Sequence, residues 1–249
     1  MLNKDVQNIN KDGCNESVLN ADKSGQSTLP DKKRILLFLI CLIGIFVFTL
    51  LASLFVKDLP KDRQDGAAGL IAYAFLFVSM ITLLGKDLIP GLKQFKNWKA
   101  IVYGFIGGAV LMCLTNGLSS FINLFYQTGD NVNQETLNST IYVYPVASIL
   151  IFGFIGPCCE ELGYRVGLFG GLKKVHPVLA YVITSILFGL IHMSFSGDLT
   201  NELLNLPVYM FSGLILSYLY DKYGFATSYI AHALNNIVVI LLILSGVNK

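Results

Sequence analysis

The sequence predicts an all-α polytopic membrane protein, a bundle of seven transmembrane helices around an intramembrane polar pocket. Two observations predict this class. Of the 249 residues, 54% are hydrophobic and 14% are charged, whereas soluble domains have roughly 25% charged residues. Long apolar stretches also recur from residue 35 to residue 245, and most are long enough for a hydrocarbon core of about 30 Å. An eighth helix results if the fourth stretch is split.

The chain divides into a short tail and a membrane domain. Residues 1–31 are polar and have few large apolar side chains, which predicts a disordered cytoplasmic tail. Residues 32–249 form the transmembrane domain, with a basic loop over 86–99 and a polar loop over 126–140. Pro157 predicts a kink or a new helical piece within the fourth span. The predicted spans are residues 35–56, 66–84, 100–125, 141–172, 177–195, 206–220 and 227–245.

Lysine and arginine are distributed unequally between the two sides of these spans. With the N-terminus inside, fourteen basic residues fall on the inner side and four on the outer side. Three of the fourteen are remote from the first span, and without them the ratio is still eleven to four. Basic residues are enriched in cytoplasmic loops. We therefore expect a multi-pass protein of the cell membrane with a cytoplasmic N-terminus.

Two adjacent carboxylates lie inside the fourth hydrophobic stretch. A charge at bilayer depth costs at least ~2.5 kcal/mol on insertion scales, so Glu160 and Glu161 require an explanation. Glu161 and Arg165 are four residues apart, which predicts an ion pair on one helix face. Glu160 is turned about 100° away from Glu161 by the helical period. The pair Glu161–Arg165 is therefore expected to be structural, and Glu160 to be free for chemistry.

Polar residues in the fifth and seventh spans complete a candidate pocket. His192 follows Phe188, and Asn236 follows His232, by four residues, so each pair shares a helix face. Ionisable residues within a membrane usually face the bundle interior and mark functional sites. With Glu160, these side chains supply a general base, a second proton-handling group and donors for an oxyanion.

The depths of these residues do not agree for upright helices of equal length. At 1.5 Å per residue, Glu160 lies about 22 Å from the outer end of its stretch. His192 lies about 22 Å, and His232 about 8 Å, from the inner ends of their spans. Tilt, a kink at Pro157 or helices that protrude into the cytosol must bring them together.

In these residues the sequence resembles the CAAX-protease and bacteriocin-processing (CPBP, Abi/Rce1-like) family of intramembrane proteases. The resemblance covers residues 140–240, the expected catalytic core. One departure is local, because many members have Phe-Arg-Gly where this chain has Tyr164-Arg165-Val166. The three family signatures read here Glu160-Glu161-Leu-Gly-Tyr-Arg165, Phe188-Gly-Leu-Ile-His192 and His232-Ala-Leu-Asn-Asn236.

The resemblance implies an intramembrane endopeptidase that hydrolyses a peptide bond of a membrane-associated peptide or protein. Glu160 would activate a water molecule with His192, and His232 and Asn236 would stabilise the oxyanion. Supporting roles fall to Glu161, Arg165 and Phe188. The expected partners are the lipid bilayer and a peptide or protein substrate, such as a lipidated chain or a peptide precursor. A net charge of +2 gives no indication of a nucleic-acid partner.

A second hypothesis is a non-hydrolytic membrane protein, either a bacteriocin-immunity binding protein or a transporter. A transporter would be expected to show repeated halves with interrupted helices, and the sequence has no evident repeat. An immunity role is compatible with peptidase activity, so these two functions are not exclusive.

Metal dependence is open, because the family is often labelled a metalloprotease. Glu160, His192 and His232 form a two-histidine, one-carboxylate set that suits catalytic zinc. The chain lacks the compact His-Glu-x-x-His arrangement that presents two ligands from one helical turn. His232 cannot readily be both a zinc ligand and an oxyanion donor. We therefore favour the metal-free scheme with no cofactor, and zinc is the alternative.

Overall fold

Helices form the regular structure of residues 29–246, the part of the chain that the computed structural model describes. The tail predicted over residues 1–31 lies outside this part, except for its last three residues. In chain order the helices are α1 (Asp31–Val56), α2 (Lys61–Leu84), α3 (Ile89–Gln94), α4 (Trp98–Asn123), α5 (Val132–Val143), α6 (Pro145–Leu172), α7 (Pro177–Leu190), α8 (Leu199–Tyr223) and α9 (Phe225–Ser245).

Six helices in the described part of the chain are long and apolar enough to cross a membrane: α1, α2, α4, α6, α8 and α9. The prediction of an all-helical polytopic membrane protein is thus confirmed. The fifth predicted span, 177–195, is too long, because α7 has 14 residues and ends at Leu190. His192 and Met193 continue in a turn, donating from their backbone N–H groups to carbonyls three residues earlier, at 3.1 and 3.2 Å. Such bonds tighten and end a helix.

The polar loop predicted over 126–140 is wrong, because most of it forms α5. Asn131 caps this helix, and its Oδ1 atom accepts a hydrogen bond from the backbone N–H of Gln134 at 2.9 Å. Asparagine is among the preferred residues for this position. The basic loop over 86–99 likewise contains a 3₁₀ turn and the short helix α3. Polarity alone therefore did not distinguish a short interfacial helix from a loop.

The central helix α6 is not a regular α-helix. Residues Ile151–Ile155 and Glu161–Phe169 are π-helical, and Pro157 lies between the two segments. Proline has no N–H group and its ring collides with the carbonyl four residues earlier, so it disturbs the regular ladder. The backbone N–H of Gly156 accordingly bonds to the carbonyl of Ile151, five residues earlier. The helix is disturbed where the sequence predicts it, and π-helical turns are frequent at functional sites.

Helix α6 packs in the middle of the bundle against α1, and Gly163 permits a close approach. A Cβ atom at Gly163 would lie 2.3 Å from the Cβ of Cys41 on α1. Arg34 fixes the same pair of helices, because it is buried and donates from Nη1 to the carbonyl of Val166 at 2.6 Å. The sequence suggests only a basic flank at Arg34. These contacts hold the Glu-Glu segment of α6 rigidly in the core.

Ion pairs join the helix ends on the side where α1 begins. Lys33 contacts Asp87 at 2.6 Å, and Lys174 contacts Asp31 at 2.5 Å. Lys173 pairs with Asp221, which links the end of α6 to α8. The start of α1 and the ends of α2, α6 and α8 therefore lie at one end of the bundle, and α5 lies towards the other.

Candidate active site

Glu160 lies on α6 and has two differently placed carboxylate oxygens. Its Oε1 atom accepts a hydrogen bond from the hydroxyl of Tyr73 on α2 at 3.0 Å. Its Oε2 atom is buried and has no hydrogen-bond partner within residues 29–246. That oxygen lies 3.9 Å from Nε2 of His192 and 3.7 Å from Nε2 of His232. These distances are too long for direct hydrogen bonds, and they leave an acceptor oxygen facing two imidazole rings.

His192 lies on the turn after α7 and is oriented by two neighbours. Its Nδ1 atom is 2.7 Å from the carbonyl oxygen of Phe188. A carbonyl only accepts, so Nδ1 carries the proton and Nε2 of the neutral ring is an acceptor. The ring stacks on Tyr209 of α8, with centroids 4.7 Å apart and an interplanar angle of 14°. Both contacts direct Nε2 towards Glu160.

His232 on α9 lies between the two carboxylates of α6. Its Nδ1 atom is 2.9 Å from Oε1 of Glu161, whereas its Nε2 atom faces Glu160. An ionised Glu161 accepts a hydrogen bond from Nδ1–H, which fixes the tautomer in the way a carboxylate orients a catalytic histidine. Glu161 therefore holds the ring through Nδ1, and Nε2 faces Glu160.

Glu161 makes more contacts than the pair with Arg165 that its spacing predicts. The ion pair with Arg165 is present, with Nη1 and Oε1 3.3 Å apart and both side chains fully buried. The carboxylate also accepts hydrogen bonds from His232 and from the hydroxyl of Ser228. Glu161 is therefore both the partner of Arg165 and the group that orients His232, and a purely architectural interpretation of it is too narrow.

Phe188 packs against three of the polar residues at once. Its ring centroid lies 4.8 Å from that of His192 and 5.9 Å from that of His232. The guanidinium carbon of Arg165 lies 4.4 Å from the same centroid. A cation over an aromatic face is attracted by the ring quadrupole. Phe188 thus keeps the two histidines apart at a fixed distance and covers the buried arginine.

Asn236 lines the cavity, but within residues 29–246 no hydrogen bond joins its side chain to Glu160, His192 or His232. Its Nδ2 group donates to the carbonyl of Phe152 at 3.0 Å. Its Oδ1 atom accepts from the amide of Asn235 at 3.3 Å. The structure therefore brings Glu160, His192 and His232 together and places Asn236 in the adjoining wall.

The expected mismatch in depth does not keep the convergent residues apart. The estimate assumes upright α-helices of equal length, whereas α6 has two π-helical segments and α7 has only 14 residues. His192 moreover lies on a turn beyond its helix. Glu160 and the two histidines therefore reach a common level despite their different distances from the helix ends.

A cavity of about 520 Å³ extends from these residues to the end of the bundle where α5 lies. Pockets for small ligands and peptides typically have 300–1,000 Å³. Its walls come from α1, α2, α4, α5, α6, α7, α8 and α9 and from the turn after α7. Its polar lining residues are Thr49, Asp65, Tyr73, Asn133, Gln134, Thr136, Thr140, Glu160, Tyr164, His192, Tyr209, Ser212, His232, Asn235 and Asn236.

Buried hydrogen bonds that the sequence does not reveal hold the turn that contains His192. Glu202 is 1% exposed and accepts from the backbone N–H groups of Val132 and Ser194, each at 2.9 Å. Asn131 donates from Nδ2 to the carbonyl of His192, also at 2.9 Å. An acid in the first turn of a helix is common, so Glu202 carries no distinctive signal. The cap at Asn131 precedes polar residues and is equally inconspicuous.

The donor atoms, as placed, are spaced somewhat more widely than in a tetrahedral zinc site. A tetrahedral zinc ion holds donors at about 2.0–2.1 Å and therefore keeps them about 3.4 Å from one another. The carboxylate and imidazole atoms of Glu160, His192 and His232 are 3.7 and 3.9 Å apart. Within residues 29–246, no group of three or more His, Cys, Asp or Glu side chains could hold a metal ion.

Comparisons with curated proteins find relatives in two bacteria. The chain is 31% identical to a protein of Mycoplasma capricolum described as uncharacterized, over 65% of this chain and 46% of that protein. It is 29% identical to the UPF0177 protein YvdC of Lactococcus lactis, over 68% of this chain and 66% of that one. The chain therefore spans about half the length of the first relative and two thirds of the second.

A larger share of a third relative is matched by this chain. The UPF0177 protein YxdF of Lactococcus lactis is 32% identical, over 57% of this chain and 77% of that one. No solved structure matches the chain. A family model described as "Type II CAAX prenyl endopeptidase Rce1-like" matches residues 142–238, the segment that contains Glu160, both converging histidines and Asn236. The chain belongs to the CPBP, Rce1-like family of membrane proteins.

Proposed function

We propose that this protein is an intramembrane endopeptidase in which Glu160 activates the attacking water molecule. One observation carries the proposal: the buried Oε2 atom of Glu160 has no hydrogen-bond partner in the described chain and faces two imidazole nitrogens at 3.7 and 3.9 Å. Oε2 of Glu160 and Nε2 of a neutral His192 both accept hydrogen bonds. A water molecule is the group that can donate to them and fill the space between them.

The carboxylate is the general base of this scheme. Oε2 of Glu160 takes a proton from the water as its oxygen attacks the peptide carbonyl carbon, and the protonated carboxyl group later gives that proton to the leaving amine. Tyr73 remains bonded to Oε1 and so keeps Oε2 directed at the water. His192 accepts the second hydrogen of the water through Nε2 and orients the attack.

His232 and Asn236 are proposed to stabilise the tetrahedral oxyanion. To donate from Nε2, His232 must carry both protons, and Glu161 at 2.9 Å from Nδ1 stabilises that cationic form. The amide of Asn236 has two N–H groups, one of which is donated to Phe152. The other is left for the oxyanion. Donors preorganised in a water-poor site contribute strongly to such catalysis.

The substrate is proposed to be a membrane-associated peptide or protein chain that enters the cavity. Metal-free hydrolysis of a lipidated chain or a peptide precursor is consistent with a cavity that lies within the membrane-spanning helices. We propose a cell-membrane location with the start of α1 on the cytoplasmic side. Ten described lysine and arginine residues lie at that end: Lys32, Lys33, Arg34, Lys86, Lys93, Lys96, Lys99, Lys173, Lys174 and Lys222; the opposite end has Lys57, Lys61 and Arg63.

Proteoliposome assays with the full chain test this proposal. The probes are mixed quenched fluorogenic peptides, with and without a C-terminal farnesyl group. We expect the wild type to cleave at least one of them and Glu160→Gln to abolish cleavage while folding normally. Glu161→Gln, the matched neighbour, should lower activity less and should also lower thermal stability. If Glu160→Gln retains near wild-type turnover, the assignment of Glu160 as the base is wrong. A wild type that cleaves none of the peptides would favour a non-hydrolytic role.

A further inference from the structure

Six buried side-chain atoms in the described chain have no hydrogen-bond partner, and two of them belong to residues that line the cavity. These two are Oε2 of Glu160 and the hydroxyl oxygen of Tyr164. The residues are four positions apart on α6 and therefore share a helix face. The mechanism uses the first atom, whereas the second has no role in it.

The ring of Tyr164 is held firmly in place. It is 1% exposed and packs edge-on against Phe38 of α1 and Phe188 of α7, with centroids 5.7 and 5.3 Å away. The hydroxyl is therefore not free to turn towards bulk water. A buried hydroxyl without a partner loses the free energy of its hydrogen bonds to water. Phenylalanine would fill the same space without this cost, so packing alone does not account for the oxygen.

The other tyrosines that line the cavity have hydroxyl groups with protein partners. Tyr73 donates to Oε1 of Glu160 at 3.0 Å. Tyr209 donates to Oδ1 of Asn131 at 3.2 Å. Tyr164 thus differs from both, because its donor has no acceptor in the described part of the chain. A ligand or a water molecule in the cavity can supply one.

We propose that Tyr164 is a substrate-binding residue whose hydroxyl donates a hydrogen bond to a main-chain carbonyl oxygen of the peptide. The inference rests on the proposed function, since it takes a peptide to be the ligand. Tyr164 lies about one helical turn beyond Glu160, in the π-helical segment of α6. The carbonyl that Tyr164 binds therefore lies near the scissile bond but is not part of it.

The variant Tyr164→Phe removes only this oxygen and tests the proposal. The substrate probe is the library peptide that the wild type cleaves fastest or, without cleavage, binds most tightly. We expect KM for this peptide to rise about 3- to 10-fold, the loss of one neutral hydrogen bond, with kcat nearly unchanged. The melting temperature without peptide should stay the same or rise, because an unpaired buried hydroxyl is removed. A merely structural tyrosine would not combine these two effects.

Tyr181→Phe is the matched control. The Tyr181 hydroxyl donates to Asp221 at 3.0 Å, away from the cavity. Its removal should lower the melting temperature and leave KM unchanged. The proposal is overturned if Tyr164→Phe changes neither KM nor peptide affinity by more than twofold, or if it lowers the melting temperature as the control does.

Peptide binding to Glu160→Gln separates this inference from the proposed function. The fluorescence of a bound peptide gives Kd without turnover, in Glu160→Gln alone and in combination with Tyr164→Phe. A 3- to 10-fold weaker Kd in the double variant supports the role of Tyr164 even if the wild type cleaves nothing. Cleavage by the wild type with equal Kd values in the two variants would keep the endopeptidase and reject this role.

Discussion

Asn131 donates a hydrogen bond from its side-chain Nδ2 to the main-chain carbonyl of His192, across 2.9 Å. The bond joins the start of α5, which forms one wall of the cavity, to the turn that carries a catalytic candidate. Asn131 also caps α5 through Oδ1. Two functions of one side chain can therefore be separated by substitution.

Asn131→Asp should lower kcat by about 3- to 10-fold, because it removes the donor to His192 and keeps the capping oxygen. The melting temperature should also fall, because a buried carboxylate then faces the carbonyl of His192, although the helix cap is kept. Asn131→Ala loses both contacts and should lower kcat and stability together, since loss of a cap costs ~1 kcal/mol. Steady-state kinetics and thermal unfolding in detergent measure both effects. Equal kcat values for the wild type and Asn131→Asp would mean that this bond does not position His192.

Arg165→Ala should reduce the amount of folded protein in the membrane. Removing one partner of a buried ion pair typically costs ~3–5 kcal/mol, and both Arg165 and Glu161 are fully buried. A thermal-shift assay should show a large decrease in melting temperature, and activity should fall with it. Lys33→Ala is a suitable control, because its pair with Asp87 is partly exposed. An Arg165→Ala protein with the same melting temperature as the wild type would contradict an architectural role.

Asn236→Ala should lower turnover by about 10²–10³-fold, the usual loss for one oxyanion donor, and raise KM much less. Asn235→Ala is the matched neighbour, since it lines the same cavity and donates to the oxygen of Asn236. It should have the smaller effect on kcat. If Asn236→Ala changes only KM, the residue binds the substrate and does not stabilise the transition state. If it changes only the melting temperature, its bond to Phe152 is its whole role.

Chelation should leave cleavage unchanged. The spacing of the donor atoms around Glu160 is wider than a tetrahedral zinc site, so we expect purified active protein to contain less than stoichiometric zinc. Elemental analysis, with turnover measured before and after treatment with a membrane-permeant chelator, checks this expectation. Stoichiometric zinc whose removal abolishes cleavage and whose return restores it would overturn the metal-free scheme.

The sequence predicts the helical class and most helix positions, because long apolar stretches have a single stable solution in lipid. It also identifies Glu160, His192 and His232, since ionisable residues are conspicuous in an apolar background. The extent of α7 was not predictable, because Ile191 and Met193 on either side of His192 are apolar although the helix has ended.

Contacts between distant residues were beyond sequence reasoning. The hydroxyl of Tyr73 is 87 positions from the carboxylate it binds, and the amide of Asn131 is 61 positions from His192. Tyrosine and asparagine occur throughout such chains, so neither stands out by residue type. The link between Glu161 and His232 was likewise missed, because spacing along one helix points only to Arg165.

The short helix α7 has a consequence for how water would reach the proposed active site within the bilayer. Fourteen residues rise about 21 Å, roughly 9 Å less than an average hydrocarbon core. The turn that follows contains Ser194, Ser196 and Asp198, whose polar groups cannot face acyl chains unpaired. A bilayer accommodates a short segment by thinning locally. Hydrolysis consumes one water molecule for each peptide bond that is cleaved. Local thinning of the membrane beside His192 would bring bulk water closer to Glu160.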